Sequence, residues 1–292
     1  MAKPNSVESR GARGLDYSEI LDLLHDGVAV FDADDCLLFA NDACLNLFKP
    51  IAERFVEGAP FGALMAEAGR RKMLADAFIG PGEIDFDDGR TVLLRENRLT
   101  SGGVVRTFTD LTEYRLVEEQ IVYLASHDEV TGLPNRSLFL DRLDVALRQS
   151  AREHTRVAVL FVDLDGFKGV NDRLGHEAGD MVLHQVAVRL VARVRASDTV
   201  ARFGGDEFTI ILNQVSNAQD VGRVAQSIVD ELCRPFTVKK ATAMIGASIG
   251  VALFPDDGET GESLLRAADQ AMYKVKHSGK CGYRLASQSS KD

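Results

Sequence analysis

The residues with the most evident chemical potential are acidic and lie just past apolar runs. Val157 to Val162 is continuously apolar and rich in β-branched side chains, the pattern of a strand buried on both faces. It runs directly into Asp163-Leu164-Asp165. Carboxylates at the end of a buried strand need something to offset their desolvation, and a hard divalent cation with oxygen ligands does so. Taken alone, the two acids could equally open a solvated turn. A second pair, Asp206-Glu207, follows Gly204-Gly205 between two further strand-like runs within Val200–Leu212. The glycines predict a tight hairpin with room for a ligand at its backbone. Together the two stretches would bring three or four carboxylates to one edge, as nucleotidyl-transfer sites do to hold Mg²⁺ against phosphate oxygens.

Between these stretches, Lys168 is a candidate phosphate cation. Asn171 and Asp180 carry chemistry complementary to a guanine edge, because a carboxylate can accept from both N1–H and the exocyclic amine. Each of them singly could also be a cap or turn residue.

The elements that position these groups occupy only part of the chain. Its 292 residues suggest two domains, and 45% hydrophobic with 27% charged residues is an ordinary globular composition. The net charge of −10 argues against capture of nucleic acid or anionic lipid by the chain as a whole. Most of it, −7, belongs to residues 1–115, against −3 for residues 116–292. Cys36, Cys44, Cys233 and Cys281 lack metal-ligand spacing and read as free thiols of a reducing cytoplasm. Neither an apolar span of membrane length nor a signal peptide is evident, so a cytoplasmic protein is expected.

Before the acids, Leu15–His25 places Leu15, Ile20, Leu23 and Leu24 near one face, as a short amphipathic helix would. GVAVFD and CLLFAN flank the turn-rich Asp32–Asp35, predicting a hairpin, and DACLNLF follows with helical spacing. EIDF, TVLLRENRL and VVRTFTDL then predict a three-strand antiparallel meander. This part resembles a PAS domain over about Asp16–Tyr114, most sharply at Asp110-Leu111-Thr112-Glu113, which is similar to the motif that opens a PAS signalling helix. The ligand of such a domain is unknown from these residues: His25 reads as solvated or structural, and Cys44 as a small buried hydrophobe. Tyr114, Val117, Ile121 and Leu124 follow the a/d spacing of a short coiled coil. They predict either a parallel dimer helix or a helix packed on its own domain.

From Asp128 on, the chain resembles the GGDEF diguanylate cyclases. The resemblance rests on Asp128-Glu129-Val130-Thr131-Gly132-Leu133-Pro134-Asn135-Arg136, on Asp163 through Lys168 with Asn171-Asp172, and on Gly175-His176 with Gly179-Asp180. It continues through Arg202-Phe203-Gly204-Gly205-Asp206-Glu207-Phe208, Ser248 to Ala252, and Ala268 to Tyr273 with Lys276. Val130 departs from the family's Leu, and Lys280 stands where the family has Arg, so a point charge replaces a bidentate fork.

The resemblance implies an α+β chain of two domains. A PAS-like antiparallel sheet with flanking helices (16–110) is joined by a signalling helix (111–126) to an α/β palm-like nucleotidyl cyclase domain (127–286), with tails at 1–15 and 287–292. It implies that Asp163, the carbonyl of Leu164 and Asp206 hold Mg²⁺ or Mn²⁺. Glu207 would be a further metal contact or the base for the 3′-hydroxyl. GTP would lie against Phe167, Lys168, Asn171, His176, Asp180, Gly204, Gly205, Lys276 and Lys280. Two GTP-loaded subunits of a homodimer would face each other and form cyclic di-GMP. Arg195-Ala196-Ser197-Asp198, five residues before the glycine pair, resembles the family's product-inhibition site, with Arg223 a candidate second arginine. The alternative is an inactive receptor for GTP or cyclic di-GMP, but such members lack signature acids that are present here. A phosphodiesterase domain is not expected, since about a dozen residues follow Lys280.

Overall fold

The computed structural model describes residues 17–76, 80–239 and 241–287. The expected tails, and Leu15 of the expected first helix, therefore lie outside the described residues except for Ser287. The chain forms two compact units, Met1–Ile121 and Val122–Asp292.

The first unit holds α1 (Tyr17–Asp22), β1 (Gly27–Phe31), β2 (Leu37–Ala40), α2 (Asp42–Leu47), α3 (Phe61–Arg70), β3 (Gly82–Asp85), β4 (Thr91–Arg98) and β5 (Val104–Asp110). Its sheet is antiparallel in the order β2-β1-β5-β4-β3. The hairpin after β1 turns on Asp32, whose carboxylate accepts from the amides of Asp34 and Cys36 at 2.9 Å. Phe31, Phe48, Phe61, Phe86 and Phe108 fill the core with Cys44, whose thiol burial pushes up to about 12. His25 is exposed.

One expectation fails here. The helix near the N-terminus ends at Asp22, and Ile20, Leu23 and Leu24 are exposed rather than packed. Polar contacts stop it: Asn41 donates to the carbonyls of Leu21 and Asp26, and Asp22 accepts from the Asp42 amide, turning the chain into β1.

Helix α4 (Thr112–Ser126) spans the boundary between the units. Tyr114, Val117, Ile121 and Leu124 on it are all exposed.

The second unit holds α5 (Arg136–Glu153), β6 (Val157–Asp165), α6 (Phe167–Leu174), α7 (His176–Val191), β7 (Thr199–Gly204), β8 (Glu207–Leu212), α8 (Ala218–Leu232), β9 (Phe236–Val238), β10 (Ala241–Ala243), β11 (Gly246–Phe254), α9 (Gly261–His277) and β12 (Gly282–Leu285). The main sheet runs β12-β11-β6-β8-β7, antiparallel except for the parallel pair β11/β12. Every residue of β6 is buried. Alternation splits its side chains: Ala158, Leu160, Val162 and Leu164 enter the core under α7 and α8, while Val157, Val159 and Phe161 pack with Leu264, Ala268 and Met272 of α9. Asp163 and Asp165 continue the second set, so the fold delivers both acids to the α9 face.

Candidate active site

Asp163 stands directly opposite Glu207 across the β6/β8 ladder, and Asp206 sits in the turn just before Glu207. The turn uses Gly204 at φ 146° and Gly205 at φ 52°, backbone conformations that side chains resist. The Leu164 amide donates to the Asp206 carbonyl at 3.2 Å. On an antiparallel strand a residue's N–H and C=O point the same way, so the Leu164 carbonyl also faces the hairpin tip. Three acidic side chains and one main-chain oxygen thus lie at this edge.

Charge is concentrated at this point. Burial, then the neighbouring Asp206 and Asp165 charges, raise the Asp163 carboxyl despite a hydrogen bond from Lys276. Burial, Asp163, Asp206 and Asp269 raise Glu207 as well. The compensating cation is Lys276 on α9, whose Nζ is 2.6 Å from Asp163 Oδ2. Burial pulls that ammonium down, but the Asp163 hydrogen bond and the surrounding acids leave it above its ordinary value. Among the described residues no three His, Cys, Asp or Glu side chains form a ready-made metal cluster. The donor set of Asp163, Asp206 and the Leu164 carbonyl needs only two side chains, and its mutually repelling acids fit a divalent cation.

Asp165, the fourth expected acid, has a different job. Its carboxylate accepts from Ser248 Oγ at 2.9 and 3.0 Å and from the Cys281 amide at 3.1 Å, joining β6, β11 and the start of β12.

The nucleotide segment is partly assembled. Asn171 Oδ1 is buried without a hydrogen-bond partner, an expensive state that a bound donor would relieve. It fits only because residue 179 is glycine: a Cβ there would lie 1.9 Å from Asn171 Oδ1. Lys168, His176, Asp180 and Lys280 are exposed on the same unit. The Phe167 ring is buried in the core.

A residue named only as part of a motif proves structural for the loop. The Arg202 guanidinium donates to the Gly205 carbonyl at 2.7 and 3.1 Å and to both Asp128 oxygens at 2.9 and 3.0 Å. Burial opposes the Asp128 charge, but Thr131 and Arg202 hydrogen bonds hold that carboxyl below its ordinary range.

At the remote motif, Asp198 accepts from the Arg195 amide and the Asn213 amide, each at 2.9 Å. Arg195 is exposed beside it, and both line a cleft of about 120 Å³ with Arg193 and Asp220. Arg223 is instead ion-paired with Asp220 and does not line this cleft. A wider cleft of about 440 Å³ between α5 and the start of β7 contains none of the acids of the candidate site.

Comparison with known proteins finds relatives of the second unit. Residues 125–281 match the family described as "Diguanylate cyclase, GGDEF domain". The bifunctional diguanylate cyclase/cyclic di-GMP phosphodiesterase MucR of Pseudomonas aeruginosa is 44% identical over 178 residues, 61% of this chain and 26% of MucR. Diguanylate cyclase TpbB of the same species is 42% identical over 175 residues, 59% of this chain and 40% of TpbB. The solved GGDEF domain of TpbB aligns with a TM-score of 0.54 at 43% identity, covering 55% of this chain and 94% of that one. The coiled coil and GGDEF domain of DgcB from Caulobacter crescentus, solved in complex with c-di-GMP, aligns with a TM-score of 0.54 at 29% identity, covering 59% and 92%. The chain spans less than half the length of these curated relatives. With more than half of its own residues inside the match, the chain belongs to the GGDEF domain family.

Proposed function

We propose that the chain is a diguanylate cyclase, condensing two GTP into cyclic di-GMP with release of two pyrophosphates. The observation that carries this reading is the meeting of Asp163, Glu207, Asp206 and the Leu164 carbonyl at the end of β6, on the same unit as an Asn171 oxygen that lacks a partner. Relatives named diguanylate cyclase support it.

Asp163, the Leu164 carbonyl and Asp206 would hold Mg²⁺ or Mn²⁺. When bound, the cation neutralises phosphate charge and eases formation of the 3′-alkoxide. Asp163 would exchange Lys276 for it, leaving the ammonium to meet a phosphate oxygen together with Lys168 and Lys280. Glu207, its carboxyl raised by burial, accepts the 3′-hydroxyl proton. Asn171 and Asp180 read the guanine edge, with His176 close by. Each 3′-oxygen attacks the α-phosphorus of the GTP held by a second subunit, so activity requires a homodimer. The exposed apolar residues of α4 suit that pairing.

Residues 16–110 serve as a PAS-like regulatory domain, a reading supported by their antiparallel β2-β1-β5-β4-β3 sheet. Arg195 and Asp198 take up product as a feedback site, and the protein works in the cytoplasm. No helix among the described residues is long and apolar enough to cross a membrane.

Purified protein given GTP and Mg²⁺ is expected to release pyrophosphate and yield cyclic di-GMP, read by chromatography and mass. A dimeric sample that binds GTP and makes neither product would overturn the reading.

A further inference from the structure

Asn171 Oδ1 and the Asp180 carboxylate, the two groups read above as meeting the guanine edge, are both hydrogen-bond acceptors. They match the N1–H and the exocyclic amine of the base. Guanine O6 is itself an acceptor, and a site that closes on it needs a donor.

Lys239 is placed to supply one. It stands in the turn between β9 and β10, and its Nζ lies 2.6 Å from Glu177 Oε2 in the first turn of α7. Glu177 and Asp180 are three residues apart on that helix, so their side chains are neighbours on its surface. The ammonium is thus bonded to the residue adjoining the acid that reads the base.

The backbone under Lys239 is fixed, while the side chain can change partners. Gln185 on α7 donates from Nε2 to the Thr237 carbonyl at 2.9 Å, and Arg189 donates to the Pro235 carbonyl at 2.6 Å, which lays β9 along α7. Phe236 and Val238 of that strand are buried in the core with Val182 and Val186. The ion pair at the tip is different in kind. Its Lys239 and Glu177 side chains keep 62% and 85% of their surface exposed, and pairs so exposed are worth little, so Lys239 can leave Glu177 at small cost.

We propose that Lys239 is a specificity-determining residue for GTP, exchanging Glu177 for guanine O6 when the nucleotide binds. The inference rests on the reading of Asn171 and Asp180 as guanine contacts. An ammonium has three donors and no acceptor, so it pairs with O6 but not with the amine that adenine carries at the same position. Adenine also lacks the N1–H that the acceptors require. The base is then checked from two sides, by acceptors that adenine leaves unpaired and by a donor that its amine cannot use.

The test measures equilibrium binding of GTP and of 6-thioguanosine triphosphate to the full chain, with Ca²⁺ in place of Mg²⁺ to hold off turnover. Sulfur in place of O6 is a weak acceptor, and the rest of the guanine edge is kept. The parent chain should prefer GTP by about fivefold, the scale of one exposed charged contact. Lys239→Met should bring the two affinities together by weakening GTP, and Lys239→Arg should keep the preference. Glu177→Gln frees the ammonium and should widen it. A pair that only braces the fold predicts otherwise, because Lys239→Met and Glu177→Gln break it alike and would move both nucleotides together. A ratio unmoved by Lys239→Met, a ratio that falls in Glu177→Gln, or a parent chain that binds both nucleotides equally would overturn the proposal while leaving the guanine reading in place. A parent chain that binds neither nucleotide would overturn that reading and this inference with it.

Discussion

Lys276 Nζ lies 2.6 Å from Asp163 Oδ2, so the acid at the end of β6 already has a cation beside it. Lys276→Met should leave Asp163 buried among like charges and cost about 1–3 kcal/mol in metal-free protein at neutral pH. Urea unfolding with chelator and with Mg²⁺ checks this. Mg²⁺ should restore most of the loss, and an equal loss in both solutions would show that Asp163 does not bind the cation.

Asp163 and Glu207 are both raised above their ordinary values of 3.8 and 4.5. The folded state therefore binds more protons than the unfolded one as pH climbs past those values. Stability contributed by the protonated acids is full below them and is lost as pH rises through the raised values. Metal-free protein should thus lose stability as pH rises past those ordinary values, and Glu207→Gln should flatten that slope. A pH series of thermal unfolding midpoints, with and without Mg²⁺, reads both effects.

Glu207→Gln should also lower turnover by about 10²–10⁴-fold, the usual contribution of a positioned base, while GTP binding persists. Pyrophosphate release beside equilibrium GTP binding separates the two. Turnover within a fewfold of the parent chain would remove Glu207 from the chemistry.

The Asn171 pocket makes a sharper prediction about the base. Gly179→Ala places a methyl group against Asn171 Oδ1 and must displace that side chain. GTP affinity should fall at least about tenfold, since a site built for hydrogen bonds loses one. Asp180→Ala should instead erase the preference for GTP over inosine triphosphate, which lacks the exocyclic amine. Competition binding with the two nucleotides tests both variants.

Arg195 and Asp198 should separate cleanly on mutation. Asp198 holds two main-chain amides, so Asp198→Ala should lower the unfolding midpoint as well as relieve product inhibition. Exposed Arg195→Ala should relieve inhibition with the midpoint unchanged. Initial rates against added cyclic di-GMP measure the first quantity, and calorimetry the second.

Where local pattern and fold agree, the sequence was readable. The apolar run into Asp163, the glycine hairpin before Asp206 and the meander of the first unit all form where alternation and turn residues put them. What escaped notice depends on partners distant in the chain. Nothing near Asp165 says that it will bind Ser248 rather than a ligand, and nothing near Gly179 says that Asn171 will occupy the space of its missing side chain. The first helix misled for the converse reason, because its apolar spacing is real but Asn41 draws the chain into a turn before any surface can cover it.

The Arg202 fork has a mechanical meaning. It grips the signature hairpin at Gly205 with one edge and the Asp128 carboxylate with the other, and Asp128 follows directly on α4 and the His127 bridge to Pro134. Apolar packing lets surfaces slide, whereas a planar fork holding two partners loses its bonds on modest rotation. The residue two places past α4 is thereby tied to the hairpin by one side chain, so removing the Arg202 guanidinium would release the Gly205 carbonyl and the Asp128 carboxylate together.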